Sequence, residues 1–170
     1  MVNNSKNNFI VGESVIYPNH GIGIIEQVYH RKESGRKESF YHLRIIANNL
    51  MVMIPSTNVL EVGLRKLIKK GEVTKVLLHL KKTKVNNASD WKNRFKENSE
   101  KMRTGLIFEV ADVLKSLYQL SCNRILSFRE KKMLDRARHL VVSEVATVSR
   151  VSEDKAGHLI DQALIQQTAP

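Results

Sequence analysis

Over the first third of the chain, apolar residues come in short β-rich runs broken by turn residues. Val15-Ile16-Tyr17 precedes Pro18-Asn19-His20-Gly21, and Ile22 to His30 leads to Glu33-Ser34-Gly35, which reads as a hairpin turn. Phe40 to Ile46 then meets Asn48-Asn49 before Met51 to Ile54. This spacing predicts four or five strands forming a small, strongly bent sheet or barrel. A sheet of that size is stable only if it curls over one core or leans on a neighbour.

After Gly63 the period becomes helical. Val73, Val76, Leu77 and Leu80 follow i, i+3, i+4, i+7 spacing, with Gly71 near the start. Trp91, Phe95 and Met102 share a face of a second helix, capped by Ser89 or Asp90 and ended near Gly105. Ile107, Val110, Ala111, Leu114, Leu117 and Tyr118 form the stripe of a third. Ser127 with Glu130 is a capping box opening a fourth, which runs through Met133, Ala137, Leu140, Val141, Val145 and Val148. Ser152 begins a fifth, with Glu153 and Asp154 at its positive end and Ala156, Leu159, Ile160, Ala163 and Leu164 facing inward. The pattern predicts an α+β chain with a disordered N-terminal extension over 1–8. A small β-barrel domain over 9–65 and a compact five-helix domain over 66–166 follow.

With 170 residues, 42% hydrophobic and 26% charged, the chain fits one ordinary domain or two small ones and can bury a core. The apolar runs Leu50 to Ile54 and Val76 to Leu80 are far too short to span a bilayer. Residues 1–8 lack the apolar core of a signal peptide, so the expected location is cytoplasmic, with no membrane partner. The single cysteine, Cys122, cannot form an internal disulfide, which fits a reducing compartment.

Charge narrows the picture further. The chain carries a formal +11. Leu64 to Arg103 holds thirteen Lys or Arg against four Asp or Glu, and so supplies +9 of it. An excess of this kind attracts polyanions. Within the stretch, after the polar break Val85-Asn86-Asn87-Ala88, lies Ser89-Asp90-Trp91-Lys92-Asn93-Arg94-Phe95-Lys96, containing the only tryptophan. A lone aromatic ringed by cations suits a protein that holds a phosphate backbone while pushing a flat ring toward bases.

Blander readings stand beside that one. Lys66, Lys69, Lys70, Lys81, Lys82 and Lys84 also fit a solvated helix face. Trp91 shares its face with Phe95 and Met102, which argues for burial. At the first turn of a helix, however, its ring has no earlier turn to lie against. Gly21-Ile22-Gly23 lacks the third glycine and following helix of a dinucleotide loop and reads as a tight turn. The six histidines and Cys122 show no metal-ligand spacing, and no arrangement marks a nucleophile. The chain is therefore read as a non-enzyme without cofactor or metal.

Phe9-Ile10-Val11-Gly12-Glu13-Ser14-Val15-Ile16-Tyr17-Pro18-Asn19-His20-Gly21-Ile22-Gly23, then Gly63-Leu64-Arg65, the Trp91 to Arg94 segment, and Glu130-Lys131-Lys132-Met133-Leu134-Asp135-Arg136-Ala137-Arg138 together resemble the CarD/CdnL family of bacterial transcription regulators. The resemblance runs from Phe9 to roughly Leu164. Its first part is shared with the polymerase-binding module of transcription-repair coupling factor, and the helical part with Trp91 separates the two.

The resemblance implies a Tudor-like β domain that docks on the RNA polymerase β subunit through an edge strand. It also implies a helical domain that touches promoter DNA just upstream of the melted region, without sequence preference. Arg31 matches a basic polymerase contact, while Met53 stands where relatives often carry Arg, so an apolar contact replaces part of an ionic one. The family's tryptophan at the bubble edge falls on Trp91, with Lys92 beside it. Basic or polar neighbours that touch phosphates fall on Arg94, Lys96 and Lys131, and Asn93 occupies a place where relatives often carry a cation. The expected working unit is a monomer that stabilises the open promoter complex.

Two rivals remain from the sequence. One is a stand-alone helix-turn-helix repressor built on the third and fourth helices around Ser121 to Ser127, against which the intervening loop looks long. The other is an RNA- or ribosome-associated protein, since a small barrel with basic helices also suits RNA.

Overall fold

A computed structural model describes residues 8–33, 36–82 and 91–165, with the side chains at positions 32, 33, 36, 37 and 91 left aside. The Ser34-Gly35 turn, the Val85 to Ala88 break, the Ser89 or Asp90 cap, Lys84 and residues 1–7 of the N-terminal extension lie outside the described residues. The chain divides into two compact units, residues 1–67 and 68–170.

The first unit is an antiparallel sheet of β1 (Ser14–Tyr17), β2 (Gly21–Glu33), β3 (Arg36–Ile45), β4 (Met51–Pro55) and β5 (Arg65–Lys66), in the order β4-β3-β2-β1-β5. The turn from β1 to β2 closes because Asn19 and Gly21 adopt left-handed backbones, at φ 62° and 88°. Gly23 is dictated by close approach, since a Cβ there would lie 2.5 Å from Leu43 Cδ1. A bulge between Ile25 and Gln27 bends β2. Phe9, Val15, Ile25, Tyr41, Leu43, Ile45, Ile54, Val59 and Leu64 form the core on the inner face. This is the five-stranded, Tudor-like architecture that the alternating pattern and the resemblance lead one to expect.

Two short elements escape the sequence pattern. A 3-10 turn, Ser56–Asn58, leads into α1 (Val59–Val62), which buries Val59 and ends where Gly63 turns left-handed at φ 77°. β5 then pairs Lys66 with Val15 and Arg65 with Ile16, so the ladder runs past residue 65.

Among the described residues the second unit has five helices: α2 (Lys70–Lys82), α3 (Trp91–Thr104), α4 (Ile107–Asn123), α5 (Phe128–Ser149) and α6 (Glu153–Ile165). Their stripes merge in one core that includes Val76, Leu80, Val110, Leu114, Leu117, Val141, Val145 and Ile160. The inward row of α6 is Ala156, Ile160, Ala163 and Leu164, while Leu159 is exposed. On α3 the buried row is Arg94, Asn98 and Met102, and Phe95 is only half-buried. Met102 thus keeps the expected inward face, and Arg94 and Asn98 join it beside Phe95, Arg94 because its guanidinium meets a buried partner. No described helix is long and apolar enough to cross a membrane.

Candidate nucleic-acid interface

The start of α5 organises the site. Ser127 adopts an extended backbone, and its hydroxyl accepts from the Glu130 N–H at 3.3 Å while the Glu130 carboxylate reaches back to the Ser127 N–H at 3.0 Å. This is the capping box that the Ser127/Glu130 spacing predicts. Glu130 is buried and does more than cap. One carboxylate oxygen serves Ser127, accepting also from its hydroxyl at 2.9 Å. The other accepts from Arg94 Nη2 at 3.2 Å and from Arg124 Nη2 at 2.9 Å. Burial alone would raise its pKa, but the Ser127 backbone and hydroxyl, Arg94 and Arg124 together hold it below the ordinary value.

The Arg94–Glu130 pair therefore ties the first turns of α3 to the first turn of α5. Trp91 opens α3 three positions before Arg94, and its side chain lies outside the described residues. Lys92, Asn93 and Lys96 are exposed on α3, and Arg129, Lys131 and Lys132 are exposed on α5. Lys92 and Lys96 are spaced i, i+4 and so share a face. Arg94 departs from its expected role: it is 8% exposed and its guanidinium faces Glu130, not solvent.

Two residues here escape the sequence reading. Ile125 is 95% exposed and Phe128 is 74% exposed, with the Lys132 ammonium 5.0 Å from the Phe128 ring centroid. Ile125 precedes the capping box and Phe128 lies within it, and both fall off the helical stripes, which is the signal that could have found them. Large apolar side chains standing singly in water are common, but here two of them sit among cations. The α4–α5 link comprises only residues 124–127. Loop length therefore does not argue against a helix-turn-helix, contrary to the sequence reading.

Further polar groups of this unit are partly or wholly buried. Asp112 on α4 meets His79 Nε2 at 2.6 Å and Lys101 Nζ at 3.5 Å. Lys115 is 1% exposed, and among the described residues its Nζ has no hydrogen-bond partner. Burial lowers its pKa, opposed in part by Asp112. The Asn98 Nδ2 is likewise buried without a partner among the described residues.

In the first unit, β4 ends the sheet and pairs only with β3 among the described strands. Met53 opposes His42 on β3, His42 opposes Gln27 on β2, and Arg31 opposes Glu38. By strand alternation Arg31 and Met53 share the outer face, with Tyr29 and Met51 between or beside them. Met53 is 57% exposed there, and Arg31 and Met51 are exposed as well. Tyr29 and His42 meet edge to face at 4.9 Å. Among the described residues no group of three or more His, Cys, Asp or Glu could hold a metal ion, and Cys122 is exposed.

Comparison with known proteins assigns both units. Residues 9–68 match the model of the CarD-like/TRCF RID domain, and residues 75–161 match that of the CarD C-terminal domain. A Bacillus subtilis (strain 168) protein described as a candidate transcription factor, YdeB, is 30% identical over 145 residues, covering 85% of this chain and 95% of that relative.

Proposed function

This chain belongs to the CarD family of transcription factors, which are not enzymes, and on that premise we propose that it binds the RNA polymerase β subunit and stabilises open promoter complexes. The first unit supplies the anchor. Among the described strands β4 has a free outer edge for backbone pairing, and Met53, Met51 and Arg31 offer apolar and ionic side-chain contacts on the adjoining face. Backbone pairing gives affinity with little demand on sequence.

The second unit supplies the DNA contact, and one observation carries this assignment. The helix that opens with the only tryptophan is tied through Arg94–Glu130 to a second helix start, and both carry exposed cations, Lys92 and Lys96 on the first and Lys131 on the second, where Ile125 and Phe128 are also exposed. Cations on helix surfaces hold phosphates and orient the protein but read no bases. An aromatic ring entering the minor groove at the upstream edge of the bubble occupies the gap of an unstacked base step. Re-pairing then requires its removal. Stacking of this kind is worth about 1–3 kcal/mol per base, or roughly tenfold to a hundredfold in the ratio of melted to closed DNA.

The test is Trp91→Ala in the full chain. The expected result is normal capture by RNA polymerase with open complexes that decay about tenfold faster. Equal decay rates with and without the indole would remove the wedge from the reading while leaving the anchor.

A further inference from the structure

Building on that reading, we propose that Arg94 and Glu130 form a latch that aims Trp91, making Arg94 a positioning residue and not a phosphate contact. Few described side chains in the first half of α3 are buried. Among its thirteen described side chains only Arg94, Asn98 and Met102 are buried, with Phe95, Ser99 and Lys101 partly buried. Among the described side chains the one buried apolar group, Met102, lies near the C-terminal end, where Gly105 turns the chain left-handed into α4. Asn98, one turn before Met102, places a buried amide nitrogen without a partner among the described residues, which weakens the grip further. A helix of this length is marginal in water on its own, so its direction must come from tertiary contacts.

Lever geometry shows why that direction matters. Trp91 stands eleven positions before Met102, about 16 Å along a helix axis. A tilt of about 10° pivoting at Met102 would displace the first turn by about 3 Å, close to the ~3.4 Å step between stacked bases. A ring aimed at one unstacked step needs a second fixed point near its own end. Arg94, one turn after Trp91, is that point.

Its acceptor is fixed before it docks. Ser127 holds one oxygen of Glu130 and Arg124 shares the other, so the carboxylate stands in place whether or not α3 arrives. A guanidinium fork meets such an acceptor with less loss of freedom than an ammonium. The same carboxylate sits immediately before Lys131, so one group sets both the ring-bearing helix and a phosphate-facing lysine in a common frame.

The experiment compares Arg94→Met with Arg124→Met in the full chain. Arg94→Met opens the latch while Glu130 keeps Arg124 and Ser127, so α5 remains capped. Arg124→Met leaves the latch closed. Because Trp91 is the only tryptophan, its fluorescence anisotropy decay reports on this ring alone. Arg94→Met is expected to increase Trp91 motion and to shorten open-complex life at least about threefold, with polymerase capture unchanged. Its salt dependence of DNA association should stay that of the parent, whereas loss of a phosphate contact would lower the slope by about one. Arg124→Met should match the parent in every readout.

A lowered salt slope in Arg94→Met, or Trp91 motion unchanged by it, overturns the latch. If Arg94→Met does not fold, Glu130→Gln takes its place, since Gln also completes a capping box; it should loosen Trp91 in the same way, and an unmoved ring there refutes the proposal. Failure of the wedge reading appears separately, as unchanged lifetimes in Trp91→Ala. In that event the latch stands or falls on Trp91 motion alone.

Discussion

A buried carboxylate is costly unless donors replace its water, and Glu130 has them from Ser127, Arg94 and Arg124. Because its folded pKa lies below the ordinary 4.5, its contribution to stability is complete above that value. The contribution is lost as pH falls through the lower folded value. Thermal melts between pH 6 and 3 should therefore show an acid-sensitive step that Glu130→Gln flattens, the two proteins converging at the acid end; parallel curves would deny the carboxylate this role. Lys115 presents the opposite case. Its pKa is lowered by burial, so folding is penalised wherever the ammonium is kept. The penalty is relieved as pH rises from the folded value toward 10.5. Lys115→Met should stabilise the protein by about 1–3 kcal/mol in urea unfolding at pH 7 and should abolish the gain at alkaline pH. A less stable variant would mean that the ammonium earns its position through an attraction outside the described residues. The Ser127/Glu130 spacing was legible in the sequence because a capping box is local, whereas the burial of Arg94 and Lys115 depends on distant elements.

At the scale of elements, periodicity found the four long strands and the five helices of the second unit. Each buries a face large enough to impose a repeat. It missed α1 and β5, four and two residues long, because neither is long enough to repeat its period. It also left Arg94 off the inward face of α3, since hydropathy ranks an arginine last for burial and cannot see a waiting carboxylate. β4 is the element on which polymerase binding is staked. Arg31→Glu places a negative charge on the outer face without touching the inner core, so it should weaken capture of a β-lobe fragment about tenfold or more while the melting temperature stays within a degree or two. Normal capture would exclude that face. Ser127→Ala tests the cap itself and should cost about 1 kcal/mol.

For the whole molecule, the distribution of charge matters more than its total. A surplus of +9 between Leu64 and Arg103 supplies attraction for any polyanion, so sequence choice must come from elsewhere. The full chain without polymerase should bind promoter and scrambled duplexes equally, with affinity falling steeply between low and physiological salt. Lys131→Ala should reduce that salt slope by about one. Marked preference for one duplex sequence would revive the helix-turn-helix alternative, which the four-residue α4–α5 link leaves sterically open. Stronger binding to structured RNA than to forked DNA at equal salt would favour the RNA reading instead.

The order of residues by itself settled the class of fold, the change from β to helical architecture near Gly63, the basic stretch and the family, because alternation, helical period, charge and motif are properties of neighbours along the chain. Folding decided the rest. It set Arg31 and Met53 on one face through the register of three strands, required Gly23 against Leu43, and turned Arg94 toward a carboxylate thirty-six residues away. A side chain's final environment is fixed by groups that meet it only in space, and no local pattern carries that information.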